Sequence, residues 1–512
     1  MHWMRGTVLW IVGVSALLHG APQVASAQDI RNERIKILPA DSAVFGKFGV
    51  SVAISGPTAI VGASSNDGHE TGAGSAYFFD AATGAQVAKL IASDGAYQDY
   101  FGWSVSICGS TAIVGAWGDD DNGSRSGSAY LFDVATGTQI AKLLPSDGKA
   151  DDWFGRAVAT SGSIAIVGAD FADDYGYGSG SAYLFDVVTA TQVAKLLPND
   201  GAAEDRFGCF VAISGSIATV GAQADDDNSV NSGSAYLFDV ATGMQFAKLL
   251  SIDGRPTDSF GDSVAISGST AIVGAPGDST RNGTYSGSAY LFDVPTATQI
   301  AKLLPSDGAS SEYFGHSVAI CGSMAIVGAR SDGDNGYNSG SAYLVDTSDP
   351  ANPAQIAKLL PSDGAMSDFF GWSVAISGST AIVGARDDDD NGLQSGSAYL
   401  FDADNGVPIF TLAFSGECPG RVVVFTVTNA TPGGRVAFVH GLSDGPTTIP
   451  ITLPCAGTVL EVGNPNLGAR IIFADACGVA VLNTSVPHAA CGQLRVQALD
   501  LSSCETSEVV RP

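Results

Sequence analysis

The dipeptide Phe-Gly returns along this chain at an almost constant interval, and this repeat constrains the fold more than any other feature. The repeated motif begins at Phe48, Phe101, Phe154, Phe207, Phe260, Phe314 and Phe370, with 53 to 56 residues between successive copies. A fixed period of about 50 residues is typical of stacked supersecondary units that bury their faces against one another. The chain is therefore expected to fold as an array of seven similar units.

Each unit contains four short apolar runs separated by residues that favour turns. In the second unit these runs cover residues 104–107, 111–116, 127–133 and 139–144, with Gly, Asn, Asp and Pro between them. Runs rich in Val, Ile and aromatic residues with such boundaries are typical of β-strands. Seven units of four strands predict an all-β fold, a seven-bladed β-propeller, because a ring buries the first and last sheets that a linear stack would expose.

A strand-like segment without a unit of its own precedes the first repeat. Residues 35–41 copy the outer-strand motif seen at residues 141–147. Residues 407–412 follow the seventh unit but lack its Lys-Leu-Leu-Pro signature. We therefore expect the N-terminal strand to complete the last blade and close the ring. In the alternative arrangement, residues 407–412 take that place and the N-terminal strand adds a fifth.

The two ends of the chain differ from the repeats. Arg5, the apolar residues 8–18 and the small residues 25–27 are typical of an export signal, so residues 1–27 are predicted to be removed by cleavage near Ala27. The propeller is expected to occupy residues 28–412. Residues 413–512 contain six strand-like runs and no repeat, which predicts a small β-sandwich with an Ig-like outline.

Cysteines concentrate in the C-terminal domain. The five there are Cys418, Cys455, Cys477, Cys491 and Cys504. Export permits disulfides, but five cysteines admit many pairings and the sequence does not choose among them. The remaining cysteines, Cys108, Cys209 and Cys321, fall in different units and are expected to be unpaired, buried, small apolar residues.

The repeated motifs also carry a family resemblance. Phe-Gly-x-x-Val, Val-Gly-Ala and Gly-x-Ala-Tyr follow one another in each unit, from about residue 35 to residue 412. This combination resembles the FG-GAP repeats of the integrin α-subunit propeller, and above all those of secreted bacterial proteins. The resemblance implies a β-propeller with an extracellular interaction role, such as cell adhesion, and it does not imply an enzymatic activity.

The charge balance excludes several kinds of partner. The chain has 24 Lys and Arg residues against 52 Asp and Glu residues, for a formal net charge of −28. Nucleic acids and anionic membrane surfaces are bound through clustered basic residues, which this composition does not supply. No later stretch of about 20 apolar residues predicts a transmembrane segment. We expect a secreted or cell-surface monomer whose partner is an extracellular protein or glycan.

Acidic loops make calcium the one cofactor that the sequence leaves open. Asp387, Asp389 and Asn391 fit the start of a D-x-D-x-N-G calcium loop, but Ala398 stands where the terminal Glu belongs. Solvated turns, which favour Asp and Asn, explain such loops without metal.

A pair of acidic residues, five positions apart, precedes six of the Phe-Gly dipeptides. Such a pair indicates either that the acids cap a turn or that they hold a cation between them, as a cation clip. These pairs are Asp94 and Asp99, Asp147 and Asp152, Asp200 and Asp205, Asp253 and Asp258, Asp307 and Glu312, and Asp363 and Asp368.

One position varies between units while its surroundings repeat. In five units the residue after Phe-Gly is Trp103, Arg156, Asp262, His316 or Trp372. If this position lines one face of the ring it supplies a recognition surface; variation at a tolerant exposed site is the alternative. Neither an H-E-x-x-H zinc motif nor a P-loop occurs. We therefore expect a non-enzymatic binding protein. The alternatives are a hydrolase or lyase in the propeller channel and a structural component of an extracellular layer.

Overall fold

Sheets of four antiparallel strands follow one another with the period of the Phe-Gly repeat. The computed structural model describes residues 29–66 and 71–403, together with eight further strands between residues 411 and 500. Every regular element in these described residues is a β-strand, and seven of the sheets are the blades of a β-propeller. The all-β propeller predicted from the repeat is confirmed.

Each blade runs from an inner strand near the ring axis to an outer strand at its circumference. Two short strands, β1 (Ile30–Arg31) and β2 (Ile35–Ile37), precede the first blade. Blade 1 contains β3 (Phe48–Ser55), β4 (Thr58–Ala63), β5 (Ser75–Asp80) and β6 (Gln86–Leu90). Blade 2 contains β7 (Ser104–Cys108), β8 (Thr111–Ala116), β9 (Ser128–Asp133) and β10 (Gln139–Leu143). Blade 3 contains β11 (Ala157–Ser161), β12 (Ile164–Ala169), β13 (Ser181–Asp186) and β14 (Thr191–Leu196).

The remaining blades follow the same plan. Blade 4 contains β15 (Phe207–Ser214), β16 (Ile217–Ala222), β17 (Ser234–Asp239) and β18 (Met244–Leu249). Blade 5 contains β19 (Ser263–Ser267), β20 (Thr270–Ala275), β21 (Ser288–Asp293) and β22 (Thr298–Leu303). Blade 6 contains β23 (Phe314–Cys321), β24 (Met324–Ala329), β25 (Ser341–Asp346) and β26 (Ala354–Leu359). Blade 7 contains β27 (Phe370–Ser377), β28 (Thr380–Ala385) and β29 (Ser397–Asp402), and takes its fourth strand from the N-terminus.

The N-terminal strand β2 closes the ring. It pairs antiparallel with β29, with Ile35 opposite Leu400, and is the outer strand of blade 7. This is the first of the two arrangements considered above. Strand β1 adds a fifth, parallel strand to blade 6 by pairing with β26. The parallel bridge between Gly74 and Phe101 that joins blades 1 and 2 has its counterpart between Gly396 and Phe48. The junction of blades 7 and 1 is therefore built like the others.

The hydrophobic core lies between neighbouring blades. At the junction of blades 1 and 2, Ile60 and Phe78 pack with Phe101, Val114 and Tyr130. The rings of Phe101 and Tyr130 meet edge-to-face, with centroids 5.4 Å apart, and both side chains are fully buried. Burying an aromatic side chain of this kind stabilises a fold by about 1.5–3 kcal/mol. The repeated Phe-Gly and Ala-Tyr motifs therefore supply the contacts that hold one blade against the next.

A glycine in the second strand of each blade marks the closest approach between blades. A Cβ atom at Gly62 would lie 1.9 Å from the carbonyl oxygen of Gly102 in blade 2. At the junction that closes the ring, a Cβ atom at Gly384 would lie 2.1 Å from the carbonyl oxygen of Gly49. No side chain fits at such distances, so the packing of the blades requires glycine there.

Eight strands lie beyond residue 403. One sheet contains β30 (Thr411–Ser415), β31 (Val422–Thr428) and β36 (Ala480–Ser485); a second contains β35 (Ala469–Phe473), β32 (Arg435–Gly441) and β37 (Arg495–Asp500); a third contains β33 (Ser443–Thr448) and β34 (Val459–Gly463). The Ig-like outline of this part stays a prediction. Its five cysteines, like the export signal, lie outside the described residues.

The three cysteines of the propeller lie in different blades, and Cys108 is half-buried, whereas it was expected to be buried. Cys108, Cys209 and Cys321 form no disulfide, and the last two are buried. Within the part of the chain that the structure describes, no helix has the length and apolar character needed to span a membrane.

Candidate functional site

A lysine from the outer strand of each blade reaches the acidic loops that the sequence singled out. In blade 2 the Nζ atom of Lys142 lies 2.8 Å from an Oδ2 atom of both Asp94 and Asp119. The carboxylate of Asp121 is 2.7 Å away. Tyr130 donates its hydroxyl to Asp119 at 2.9 Å, and its ring centroid lies 5.2 Å from the ammonium. We refer to this arrangement of one lysine, one tyrosine and their carboxylates as the lysine clasp.

The lysine clasp recurs around the ring with small changes. From blade 1 to blade 7 its lysines are Lys89, Lys142, Lys195, Lys248, Lys302, Lys358 and Lys36. Blade 7 borrows its lysine from β2: Lys36 Nζ is 2.7 Å from Asp363 and also contacts Asp388 and Asp390. The clasp of blade 1 is the smallest, since among the described residues Lys89 pairs with Asp41 alone. The clasp ties the loop that enters a blade to that blade's outer strand.

The lysine stands where a bound cation would have to lie. Carboxylate oxygens of Asp94, Asp119 and Asp121 lie within 4.8 Å of one another, as in a metal site. Burial works to lower the pKa of Lys142, but the hydrogen bonds that its ammonium donates to these three carboxylates outweigh it and raise the pKa above its ordinary value. The ammonium is therefore charged at neutral pH and neutralises the cluster. These residues do not fit Ca²⁺, which needs six to eight oxygen ligands and no competing cation.

The two acids of each predicted pair have different roles. In the first pair, Asp94 binds Lys142, as described above. Asp99 instead accepts the backbone N–H of Ala96 at 2.7 Å and caps the turn before Phe101. Burial raises the pKa of Asp99 to about 6. Each of the two interpretations therefore describes one acid of the pair. Asp94 belongs to a cation clip whose cation is a lysine, and Asp99 caps a turn.

The residues predicted to hold calcium bind separate partners. Asp387 pairs with a lysine at 2.8 Å, Asp389 accepts a backbone N–H at 2.6 Å, and Asn391 donates to a serine hydroxyl at 3.0 Å. The carboxylates that enter the lysine clasp of this blade are those between them, Asp388 and Asp390. Successive side chains of this loop point to different neighbours, so the three predicted ligands do not fit one shared ion.

All five residues predicted to form a binding surface line one cavity at the ring axis. The cavity has a volume of about 720 Å³, and we refer to it as the channel mouth. Its wall includes Trp103, Arg156, Asp262, His316 and Trp372. Its floor is a ring of valines, one from each blade and each 6 to 8% exposed: Val52, Val105, Val158, Val211, Val264, Val318 and Val374. The floor is uniform, whereas the wall differs from blade to blade.

The wall on the side of blades 2 and 3 is aromatic. Trp103 lines the cavity and meets Trp117 edge-to-face at 5.8 Å. Trp117 in turn stacks on Tyr100 with centroids 4.8 Å apart, and neither of these two residues lines the cavity itself. The guanidinium of Arg156 lies 5.6 Å from the Trp103 ring, and its Nε atom is 3.3 Å from Asp170 Oδ2. Asp170 is 1% exposed, and burial raises the pKa of its carboxyl to about 6 against the opposing effect of the arginine. Arg156 is therefore held in place by a buried acid.

The wall on the side of blades 5 to 7 is built around one tryptophan. The Trp372 ring centroid lies 3.3 Å from Cζ of Arg386 and 4.9 Å from Cζ of Arg330. The imidazole of His316 meets the same ring edge-to-face at 4.7 Å. His316 Nδ1 is 3.5 Å from Asp262 Oδ2. Burial lowers the pKa of His316 below its ordinary value, so this imidazole is neutral at pH 7.

Sequence reasoning found one of the variable positions at the mouth and missed another. The residue after each Gly-Ala supplies Gln223, Arg330 and Arg386 to the mouth, and it varies between blades as much as the residue after Phe-Gly does. The first two strands of a blade pair antiparallel, with Ser104 opposite Gly115 in blade 2. Positions just outside the paired ends therefore lie side by side. The strand pattern contained this signal, but it becomes visible only when the register is known.

Comparison with known families agrees with the repeat seen in the sequence and the structure. The family model described as FG-GAP repeat matches the chain seven times, at residues 32–79, 85–132, 138–185, 190–238, 244–292, 297–345 and 353–401. Each match starts at or just before the outer strand of one blade and ends in the third strand of the next. The first match starts at β2, the strand that closes blade 7. No curated protein matches the chain.

Proposed function

This chain belongs to the FG-GAP repeat family, and we propose that it is a secreted, non-enzymatic propeller that binds an extracellular protein or glycan at the channel mouth. The export signal predicted for residues 1–27 supports secretion. The net charge of −28 argues against nucleic acids and anionic membranes as partners. We expect the protein to act as a monomer.

The contrast between the wall and the floor of the channel mouth carries this proposal. Side chains that hold blades together repeat in every blade, as the floor valines and the lysines of the clasp do. The wall instead places residues as different as Trp103, Arg156 and His316 at one repeat position, half-buried and facing one cavity. Half-buried aromatic and cationic groups are not typical of a tolerant exposed site. Differing groups that converge on one concave surface suit an asymmetric ligand.

An array of extracellular proteins and glycans tests the proposal with the full-length mature chain. We expect a ligand whose affinity falls about tenfold or more in Trp103→Ala or Arg156→Gln. Met244→Ala is the control, because Met244 is 67% exposed and lies on the outer strand β18. Circular dichroism and thermal unfolding check that each variant folds. Ligands that bind both mouth variants as tightly as the parent would contradict a role for the mouth.

One observation favours a second function, a hydrolase or lyase in the channel. Burial lowers the pKa of His316 and favours the neutral imidazole, and Asp262 lies 3.5 Å from its Nδ1 atom. A proton held on Nδ1 would leave Nε2 to accept one, as a general base requires. Arg330 and Arg386 lie beside it to stabilise negative charge. Residues 441–445 also have the G-x-S-x-G order of a nucleophile motif, but Ser443 begins strand β33 and is not at a strand-to-helix turn.

Mass spectrometry of the array ligand after incubation with the protein tests whether the channel is a hydrolase or lyase. Cleavage that His316→Ala abolishes would establish this activity, and an intact ligand would exclude it for that ligand.

A further inference from the structure

Two arginines of the channel mouth have no acceptor for their hydrogen bonds. Within the described residues, no side chain or carbonyl accepts a hydrogen bond from Arg330 or Arg386, and the Nε atom of each is buried without a partner. Arg386 lies near Asp387, but at 3.4 Å and without hydrogen-bond geometry. Burial lowers the pKa of both guanidiniums. A buried donor without an acceptor destabilises the free protein. An anion that accepts hydrogen bonds from these two arginines removes that cost when it binds, which favours binding.

Trp372 fixes the orientation of these two arginines. The Arg386 guanidinium lies on its ring at 3.3 Å and that of Arg330 lies 4.9 Å from the ring centre. A guanidinium stacked on an aromatic face keeps its N–H groups in its own plane, free to form paired hydrogen bonds with a carboxylate. The Arg330–Trp372–Arg386 group is therefore preorganised, and a ligand need not order it on binding.

The charge of the cavity is opposite to that of the whole molecule. The chain has a formal net charge of −28, yet among the described residues that line the channel mouth, three arginines face a single acid, Asp262. Of these arginines, Arg156 lies 3.3 Å from Asp170, and Arg386 lies 3.4 Å from Asp387, whose carboxylate is also bound by Lys47. Within this concave wall Arg330 and Arg386, whose Nε atoms have no hydrogen-bond acceptor, attract anions locally, whereas the acidic outer surface repels them. A ligand must therefore place its own negative charge at Arg330 and Arg386.

The rest of the wall selects for an apolar ring next to that charge. Tyr313, whose ring centroid lies 5.2 Å from Cζ of Arg330, lines the cavity and stacks with Tyr285 at 6.1 Å, and Trp103 is a further aromatic residue of the wall. Aromatic faces pack against the C–H face of a pyranose ring, and Gln223 and Ser259 in the same wall offer polar groups to the hydroxyls of that ring. A single cavity of about 720 Å³ at the ring axis suits a compact terminal group, whereas peptides are commonly bound as extended segments along a groove or a sheet edge.

We infer that the channel mouth binds a uronic acid residue at the end of a glycan, with its carboxylate between Arg330 and Arg386 and its ring against the aromatic side chains of Trp103, Tyr285 and Tyr313. The inference rests on the proposed function and names its ligand class. It separates a sugar carboxylate from neutral sugars, which offer nothing to the arginine pair, and from acidic peptides, which lack the flat C–H face.

Calorimetric titration of the full-length chain tests the inference. The probes are uronate-terminated disaccharides of several linkages, their neutral counterparts, and tripeptides ending in Asp or Glu. We expect at least one uronate to bind at least about tenfold more tightly than its neutral counterpart, and Arg330→Gln or Arg386→Gln to remove about tenfold of that affinity. Arg281→Gln is the matched control, because Arg281 is exposed in a loop of blade 5 outside the cavity; we expect less than about a twofold change. Arg386→Lys, which keeps the charge but not the paired donors, should recover part of the loss.

Four results would overturn the inference: neutral counterparts that bind as tightly as the uronates, acidic tripeptides that bind more tightly than every uronate, uronate affinity unchanged in both arginine variants, or no uronate binding. The array of extracellular proteins and glycans distinguishes these results from failure of the proposed function. If the array yields a neutral glycan or a protein whose binding depends on the channel mouth, the proposed function stands and the uronic acid inference is wrong. Absence of any mouth-dependent ligand removes both.

Discussion

Lys36 Nζ lies 2.7 Å from Asp363 Oδ2, although 327 residues separate the two along the chain. The same ammonium contacts Asp388, which is 3% exposed, and Asp390. The ion pairs therefore join the first strands of the chain to the last repeat at the point where the ring closes. In the six other blades the corresponding lysine comes from the blade's own repeat.

We predict that Lys36→Met destabilises the propeller by about 3 kcal/mol, because it leaves three clustered carboxylates without their cation. Lys89→Met is the matched control: its one partner among the described residues, Asp41, is 47% exposed, and exposed pairs contribute about 1 kcal/mol or less. Calorimetric melting and urea unfolding at pH 7 measure both variants. Equal losses in the two variants would show that ring closure does not depend on the Lys36 clasp.

We predict that the protein becomes less stable between about pH 4.5 and 7. Burial raises the pKa of Glu312 to about 7, and that of the turn-capping acids Asp99, Asp205, Asp258 and Asp368 to about 6. Unfolded carboxyls titrate near pH 4, so across this range the folded state holds more protons and a rise in pH favours unfolding. The clasp acids act oppositely at lower pH: although burial works to raise the pKa of Asp94 and Asp363, their hydrogen bonds with lysine lower it. Stability is therefore expected to peak at mildly acidic pH.

Glu312→Gln tests which groups cause that decline. The amide oxygen still accepts the N–H of Ala309, which Glu312 binds at 2.7 Å, but no charge has to be buried. We expect the variant to gain about 1–2 kcal/mol relative to the parent between pH 5 and pH 7.5. Glu204→Gln, at an exposed position, makes the same charge change and should leave the pH profile unaltered. Parallel pH profiles of melting temperature for parent and Glu312→Gln would refute the assignment.

We predict that Gly62→Ala is among the most harmful single substitutions in the propeller. Its Cβ would lie 1.9 Å from the Gly102 carbonyl oxygen, so blades 1 and 2 must separate, at a cost of about 3 kcal/mol or more. Gly109→Ala is the control: its φ is +57° but a Cβ there meets nothing within 4 Å, and a cost of about 1 kcal/mol is expected. Melting temperatures compare the two. A smaller loss for Gly62→Ala than for Gly109→Ala would contradict the close approach between blades.

We predict that the melting temperature of the parent protein does not respond to Ca²⁺ or to a chelator, because lysines occupy the acidic clusters. Lys142→Met should change this. It leaves Asp94, Asp119 and Asp121 with oxygens within 4.8 Å of one another, and millimolar Ca²⁺ should then raise the melting temperature of the variant by about 2 °C or more. A calcium-dependent shift in the parent would instead show that the propeller binds calcium without the loss of a lysine.

The repeat made most of the fold predictable, but not the partners within it. The spacing of Phe101 and its counterparts predicts the length of the repeat, the four strands of each blade and the closed ring. The copied motif at residues 35–41 predicts which strand closes that ring. In the sequence, Lys142 is only part of an outer-strand pattern and Asp119 only part of an acidic loop. They meet because the loop that follows β8 reaches the outer strand β10 of the same blade, so that residues 23 positions apart come together. Trp372 and Arg386 were separated in the same way, since side-chain contact depends on strand register and not on the pattern of either strand alone.

The shared construction of blade 7 also fixes the order in which the molecule can be assembled. Strand β2 is synthesised before any of the blades, yet its partner β29 is the last strand of the repeats, and Lys36 must find Asp388 across 352 residues. Six junctions between blades can form from neighbouring segments as the chain emerges, whereas the seventh must wait for the whole array. Contacts of such long range slow folding. A chain interrupted before residue 397, or one whose first strands are sequestered by a fused segment, would hold its completed blades in an open arc.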